Sequence, residues 1–253
     1  MTRPVALVTG ARRGIGRAIG VALAKAGHDI AFTDIAEDEA VAEAANLFEA
    51  AGAKARFFRH DVAAVPSHPG LVANVKTAFG RLDLFVSNAG IGAPMRGDML
   101  EITEESFDLV MDINLRGAAF LSQEVAKAML ADRPERPAII FITSASTELV
   151  SIDRAQYCVS KLGLSMWARG LAVRLAPEGI PVFEVRPGVI RTDMTAKVAA
   201  RYDARIAEGL IPAGRWGEGD DVAAAVAGLT SGQFAYATGT VINVDGGLLI
   251  PRL

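Results

Sequence analysis

A tyrosine and a lysine four residues apart, Tyr157 and Lys161, are the pair in this sequence best suited to moving a proton. Residues i and i+4 of a helix share a face, so helical placement sets the lysine ammonium beside the phenol. A free phenol titrates near pKa ~10, and a neighbouring cation favours the phenolate and draws that value down. Ser144, thirteen positions before the tyrosine, could hold a carbonyl oxygen against the phenol as charge develops there. Ser146 and Ser160 are competing hydroxyls, and Cys158 reads as a small hydrophobe rather than a nucleophile. Alone, Tyr-x-x-x-Lys also describes a surface helix pair; the elements that carry it decide.

Those elements alternate. Val5 to Val8, Ile30 to Thr33, Ala55 to Phe58 and Leu82 to Val86 are short apolar runs with the length of buried strands. Between them lie helical patterns: Ile15 to Ala26, capped by Gly27; Glu37 to Ala51, stopped by Gly52; and Leu71 to Phe79. Thr103 predicts the cap of one long helix to about Leu130, with Glu104 and Glu105 at its positive end. Ala138 to Ile142, Val182 to Val185 and Thr240 to Val244 complete seven strands, with helices over Gln156 to Leu175 and Asp220 to Leu229. Residues 193–218 read as irregular. Strand–helix alternation with short connections implies a parallel sheet covered on both faces, and no linker or repeat divides residues 1–253, so one domain is expected.

At the first strand–helix corner stands Thr9-Gly10-Ala11-Arg12-Arg13-Gly14-Ile15-Gly16. Glycines at such a corner allow a tight turn and let a pyrophosphate approach the helix N-terminus. Asp34 ends the second strand, where a carboxylate can accept hydrogen bonds from a ribose; the competing use is capping the next helix. Asn114 is a poor helix former inside the long helical pattern.

Composition narrows the class. The chain of 253 residues is 51% hydrophobic and 22% charged, which suits a packed globule. A net charge of -3 argues against a general nucleic-acid binder. A single cysteine excludes an internal disulfide framework, and His28, His60 and His68 share no metal-ligand spacing, so no metal is expected. The first strand begins at Val5, leaving no room for a signal peptide, and no apolar run approaches the ~20 residues that span a bilayer. The expectation is a soluble, cytoplasmic protein.

The glycine turn, Asn88-Ala89-Gly90 after the fourth strand, Ser144, Tyr157, Lys161, and Pro187-Gly188 followed by Thr192 together resemble the short-chain dehydrogenase/reductase family. The resemblance runs from Thr9 to Gly247, and Asp245-Gly246-Gly247 looks most like members grouped with 3-oxoacyl-acyl-carrier-protein reductases. It implies a three-layer Rossmann fold with a doubly wound, seven-stranded parallel sheet. It also implies that Gly10, Gly14 and Gly16 line the dinucleotide phosphates, with Arg13 and Ile15 of the same turn also cofactor-binding, Asp34 at the ribose, and Asp61 with Val62 at the adenine. Asn88 and Gly90 would support the sheet beside the cofactor, and Thr192, just past the cofactor-binding Pro187 and Gly188, would meet the nicotinamide carboxamide. Tyr157 would be the general acid/base, Lys161 its modulator and a nicotinamide-ribose ligand, Ser144 the group that holds the substrate oxygen, and Asn114 part of a proton relay. A homotetramer built on the two long helices is implied as well.

For the cofactor, Asp34 favours NAD, because a 2′-phosphate at ~4 Å would meet a repulsion of about 4 kcal/mol at an effective dielectric of ~20, or about 1 in bulk water. Arg12 and Arg13 pull towards NADP. Three readings follow: an NAD-linked dehydrogenase of a small hydroxy compound, an NADPH-dependent 3-oxoacyl reductase, and a non-catalytic dinucleotide sensor on the same fold. A basic patch beside the substrate mouth would mark the second, with Arg96, Arg116, Arg154, Arg191 and Arg201 as candidates.

Overall fold

The computed structural model describes residues 3–196 and 199–252. Seven parallel strands form one sheet: β1 (Val5–Thr9), β2 (Asp29–Asp34), β3 (Ala55–Arg59), β4 (Leu84–Ser87), β5 (Ala138–Ile142), β6 (Val182–Pro187) and β7 (Val241–Val244). Their spatial order is β3-β2-β1-β4-β5-β6-β7, with Val8 opposite Phe32 on one side and Val86 on the other. The order reverses between β1 and β4, and that reversal opens a crevice above the carboxyl ends of both strands.

Side chains alternate across the sheet, which sorts the apolar residues into two cores. Ala6 and Val8 of β1 face one layer with Ile19, Leu23, Phe48 and Val226, whereas Val5 and Leu7 face the other with Val75, Leu121, Val125 and Leu164. The first layer is built by α1 (Gly14–Lys25), α2 (Glu39–Ala50) and α9 (Gly219–Leu229); the second by α3 (His68–Phe79), α5 (Ala118–Asp132) and α6 (Ala155–Leu175). Asp38, not Asp34, caps α2 by accepting from the Ala40 amide, which leaves Asp34 for another use.

The long helix expected from Thr103 to Leu130 is interrupted. Thr103 does cap α4 (Glu104–Met111), but Asp112–Gly117 then widen into a π-helical turn before α5 resumes. Asn114 sits in the middle of that turn, where its side chain takes over backbone hydrogen bonds, as described below. The segment read as irregular contains two short helices, α7 (Asp193–Ala196) and α8 (Ala199–Ala207), beside a small core of Val189, Ile206, Ile211 and Trp216. Among the described residues no helix is long and apolar enough to cross a membrane.

Candidate active site

The candidate catalytic and cofactor-binding residues stand at the carboxyl ends of β1 to β6, on the loops after them, and on the helical segments that carry Asn114, Tyr157 and Lys161. At the β1–α1 corner, Gly10 and Gly14 have φ of +64° and +56°. A Cβ on Gly16 would lie 2.3 Å from the Gly10 carbonyl oxygen and 2.6 Å from Asn88 Nδ2, so only glycine lets the first turn of α1 close onto β1. Asn88 locks the corner to β4: its Nδ2 donates to the Thr9 and Gly10 carbonyls at 2.9 and 3.1 Å, and its amide donates to Thr9 Oγ1 at 3.0 Å. None of the described side chains caps α1 at Arg13, and its first turn holds no acid. Its free amides and dipole therefore suit a pyrophosphate, and Ile15 lies within that turn. The cradle fits a dinucleotide.

The residues expected to meet ribose and adenine stand at the ends of β2 and β3. Asp34 is mostly buried and pairs with Arg12 Nε at 3.5 Å; Arg12 also binds Asp38, with only 11% of its side chain exposed. The hydrogen bond to Asp38 is the main cause that raises the Arg12 pKa above its ordinary value, and the Asp34 charge adds to it. Arg12 is thus committed to two carboxylates rather than waiting for a phosphate. Arg13 reaches across the crevice to Asp193 at 3.1 Å, tying the glycine turn to the start of α7. Asp61 accepts from the Ala63 amide at 2.9 Å, and the Val62 carbonyl accepts from His68 Nε2 at 3.0 Å.

His68 in turn stacks against His60, ring centroids 5.2 Å apart, and both rings are buried. Burial, reinforced by the His68 charge, pushes His60 down to about 4, while Asp61 opposes; burial also lowers His68, against the pull of Glu124 and Asp61 and with the help of Arg116. A histidine whose folded pKa is depressed stabilises the fold above its unfolded pKa and loses that stability as pH falls. Thermal stability is therefore expected to fall as pH drops from ~6.5 to 4, by on the order of 3 kcal/mol from His60. A flat unfolding temperature across that window in wild type, or an equal loss in His60→Asn, would rule the pair out as the cause.

On the other side of the crevice, β5 delivers Ser144 and α6 delivers Tyr157 and Lys161. Ser144 Oγ accepts from the Ser146 amide at 3.1 Å, and the Ser144 side chain lies where it favours the Tyr157 phenolate. Ser146 contributes its amide to Ser144. Ser160 is spent on the Tyr157 carbonyl at 2.8 Å and accepts from Asn114 Nδ2 at 3.2 Å. Asn114, fully buried, also forms a reciprocal pair with Ile91, accepting from its amide at 2.8 Å and donating to its carbonyl at 2.9 Å. A Cβ on Gly90 would lie 3.1 Å from Asn114 Oδ1 and 3.4 Å from Lys161 Nζ, so glycine keeps these two groups adjacent.

The expected effect of Lys161 on Tyr157 needs correction. Lys161 Nζ lies 5.9 Å from the Tyr157 ring centroid and donates to the Ile142 carbonyl at 3.1 Å. Burial raises the phenol above its ordinary value, opposed first by the Ser144 side chain and then by the charge of Arg154. Burial also brings Lys161 down to about 8, against the charge of Glu184. The i, i+4 spacing puts the two on one face, but burial is the largest cause of both shifts.

Behind Lys161 lies a group that the sequence reading passed over. Glu184 and Arg186, both buried on β6, pair at 2.6 Å. Glu184 also accepts from Thr143 Oγ1 at 2.7 Å and from Ser165 Oγ at 2.8 Å. Arg186 continues to Ser165 at 3.0 Å and to Glu148 on the loop after Ser144. Opposite charges at i and i+2 of an apolar strand, sharing one face just before Pro187-Gly188, were the available signal. A Cβ on Gly188 would lie 2.7 Å from Asp245 Cα, so the Asp245-Gly246-Gly247 turn packs on that corner. Thr192 donates its amide to Thr195 Oγ1 at 3.0 Å and faces Gly14.

Three of the five candidate arginines converge. Arg154 lies 5.4 Å from the Tyr157 ring centroid, Arg201 pairs with Asp153 at 3.9 Å, and the charges of Arg96, Arg154 and Arg201 together help lower Asp153, after its hydrogen bond from Ser151. Arg191 instead stacks on Trp216 and pairs with Glu218, and Arg116 pairs with Asp112.

Comparisons with known proteins agree with this geometry. A family model described as enoyl-(acyl carrier protein) reductase matches residues 10–249. A 3-oxoacyl-[acyl-carrier-protein] reductase, FabG, of Haemophilus influenzae is 36% identical over 251 residues, covering 99% of this chain and 100% of that protein. The crystal structure of a 3-oxoacyl-[acyl-carrier protein] reductase from Brucella melitensis in complex with NAD is 54% identical, with a TM-score of 0.96 and full coverage of both chains. A candidate 2-deoxy-d-gluconate 3-dehydrogenase from Agrobacterium tumefaciens with bound NADP is 33% identical, with a TM-score of 0.89, covering 99% of this chain and 98% of that one. A doubly wound sheet, a glycine cradle at its reversal point and a serine, tyrosine and lysine beside it therefore coincide with a match over nearly the whole length, and the chain belongs to the short-chain dehydrogenase/reductase family, as an NAD(P)-dependent oxidoreductase acting on a carbonyl or CH–OH group.

Proposed function

We propose that this chain, as one domain, is an NAD-preferring dehydrogenase of a small hydroxy compound, running reversibly between secondary alcohol and ketone. The observation that carries the cofactor choice is the Asp34–Arg12–Asp38 cluster: a carboxylate faces the ribose position while the nearest arginine is already neutralised. A bound nicotinamide would accept the hydride of the alcohol or return it to the ketone. Gly10, Arg13, Gly14, Ile15 and Gly16 hold the phosphates; Asp34 takes the ribose hydroxyls; Asp61 and Val62 take the adenine. Asn88 and Gly90 shape the crevice, and Pro187, Gly188 and Thr192 form its far wall. In oxidation Tyr157 removes the hydroxyl proton and Ser144 donates to the same oxygen; in reduction Tyr157 returns it. Lys161 binds the nicotinamide ribose and favours the phenolate, and Asn114 keeps the backbone beside Lys161 open for a proton relay.

Steady-state kinetics with both cofactors should give a higher kcat/KM with NAD(H). Asp34→Asn should move the NAD:NADP preference at least tenfold towards NADP(H), since it removes a repulsion of about 1–4 kcal/mol and one of the two carboxylates that hold Arg12. An unchanged ratio would end the assignment.

The names of the curated relatives favour a second reading, an NADPH-dependent 3-oxoacyl-[acyl-carrier-protein] reductase, and the arginines around Asp153 could meet an acidic carrier. A 3-oxoacyl thioester turned over faster than any free alcohol or ketone would select it. A binding-only sensor is disfavoured by the intact Asn114, Ser144, Tyr157 and Lys161 set.

The same reading places the protein in the cytoplasm as a homotetramer. Phe107 and Leu109 on α4, Phe120 on α5, and Val159, Leu162 and Met166 on α6 are exposed apolar side chains on the expected interface helices. Sedimentation equilibrium should return four times the chain mass; a monomer would exclude it.

A further inference from the structure

The guanidinium of Arg154 stands over the phenol side of the site with no acid committed to it. No ion pair engages it among the described residues, and its one ring contact is Tyr157, at 5.4 Å. Its nearest sequence neighbour of opposite charge, Asp153, is held by Ser151 and by Arg201 at 3.9 Å. Glu148, the acid on the adjoining loop, is held by buried Arg186. Arg154 is also the N-cap residue of α6, whose first turn contains no acid. A cation at the positive end of a helix is unfavourable there unless something else needs it. Both features repel cations and attract an anion to the space beside Tyr157. On the stretch between Ser144 and Tyr157, Leu149, Val150 and Ile152 are exposed and apolar, and exposed Met194 lies against Gly92; such side chains suit a short carbon chain and offer it no further hydrogen bonds.

We propose that Arg154 is the anion-binding group of the substrate site, and that the substrate is a short 2- or 3-hydroxy acid, or the matching oxo acid, whose carboxylate pairs with this guanidinium while its carbinol oxygen meets Tyr157 and Ser144. The proposal rests on the dehydrogenase reading above and names its substrate class. A planar guanidinium grips a carboxylate with two parallel hydrogen bonds, so it fixes orientation as well as affinity. With the acid end anchored, the carbinol carbon of a 2- or 3-hydroxy acid falls one or two carbons away, over the phenol. Arg96 and Arg201, which also surround Asp153, add a positive field that draws the anion in.

Matched pairs test this: lactate and 3-hydroxybutyrate against their methyl esters, with NAD and with NADP. Wild type should favour the acids over the esters by at least tenfold in kcat/KM. Arg154→Met should collapse that acid-to-ester ratio by tenfold or more, chiefly through KM, and Arg154→Lys should restore part of it, because a uniform binding contact acts on KM. The ratio is the readout, since Arg154 also acts on the Tyr157 phenol. Calorimetric titration of acetoacetate and of methyl acetoacetate into the protein with oxidised NAD, which has no hydride to give, reads binding without turnover: wild type should bind the acid more tightly, and Arg154→Met should not. Esters preferred by wild type, or an acid-to-ester ratio untouched by Arg154→Met, overturn the proposal. A panel without turnover on either cofactor overturns the dehydrogenase reading instead, and the calorimetric comparison then decides Arg154 alone.

Discussion

Tyr157→Phe is expected to cut turnover by roughly 10²–10⁴-fold while leaving the fold and dinucleotide binding intact. The substitution deletes one oxygen from a half-buried ring and leaves its position on α6 unchanged. Ser144 loses its interaction with the phenol but keeps the hydrogen bond from the Ser146 amide, so β5 and its turn stay in place. What disappears, in the proposed mechanism, is the acid that protonates the carbonyl oxygen and the base that takes the alcohol proton. Stopped-flow or steady-state rates with saturating cofactor measure the loss, and fluorescence titration of NADH measures binding. Near-wild-type turnover would remove Tyr157 from the mechanism.

The same site predicts how rate depends on pH. Burial holds the phenol above its ordinary value and holds Lys161 down to about 8. A lysine with a lowered folded pKa is charged below that value and neutral above it. Its ammonium, proposed above to favour the phenolate, is therefore lost as pH rises through about 8, whereas the phenolate itself is gained only at higher pH. The two demands oppose each other, so the oxidation rate should rise less than tenfold per pH unit above pH 8. A full tenfold rise per unit through that range would show that the Lys161 charge plays no part.

How much of this was legible beforehand depends on the range of the interaction. The glycine corner, Asp34, and the Tyr157–Lys161 pair are local patterns set by helix and strand periods, and each stands where those periods place it. The seven-stranded parallel sheet followed from alternation alone. The π-turn around Asn114 was only half visible: a poor helix former marks a disturbance, but the partner that compensates it, Ile91, is distant in sequence and becomes adjacent only when β4 and α5 meet. The state of Arg12 was not visible, because a guanidinium in a glycine turn suits a phosphate equally well until Asp38 is seen beside it. The sign of the Tyr157 shift was misjudged for a related reason. Spacing reports neighbours on a helix, whereas desolvation reports everything packed above it.

Glu184→Leu is expected to destabilise the protein by about 3 kcal/mol, with most of that loss recovered in Glu184→Leu/Arg186→Met. Glu184 is 2% exposed and Arg186 4%, so the single variant leaves a guanidinium buried without its strongest partner and Thr143 and Ser165 without their acceptor. Removing one member of a buried pair costs about 3–5 kcal/mol, and the lower end applies because Arg186 keeps its bond to half-exposed Glu148. Replacing both with apolar side chains removes the uncompensated charge. Denaturant midpoints of the four proteins in that double-mutant cycle measure the coupling directly. Strict additivity, with the double variant as unstable as the two singles combined, would mean that the pair does not act as a unit. The network also bears on rate. Thr143 precedes Ser144, Ser165 lies one turn beyond Lys161, Arg186 precedes Pro187, and the Glu184 charge supports the Lys161 ammonium. Glu184→Leu should therefore carry the Lys161 titration below its present value of about 8 and slow oxidation at neutral pH, an effect that purely mechanical loosening of the fold would not produce.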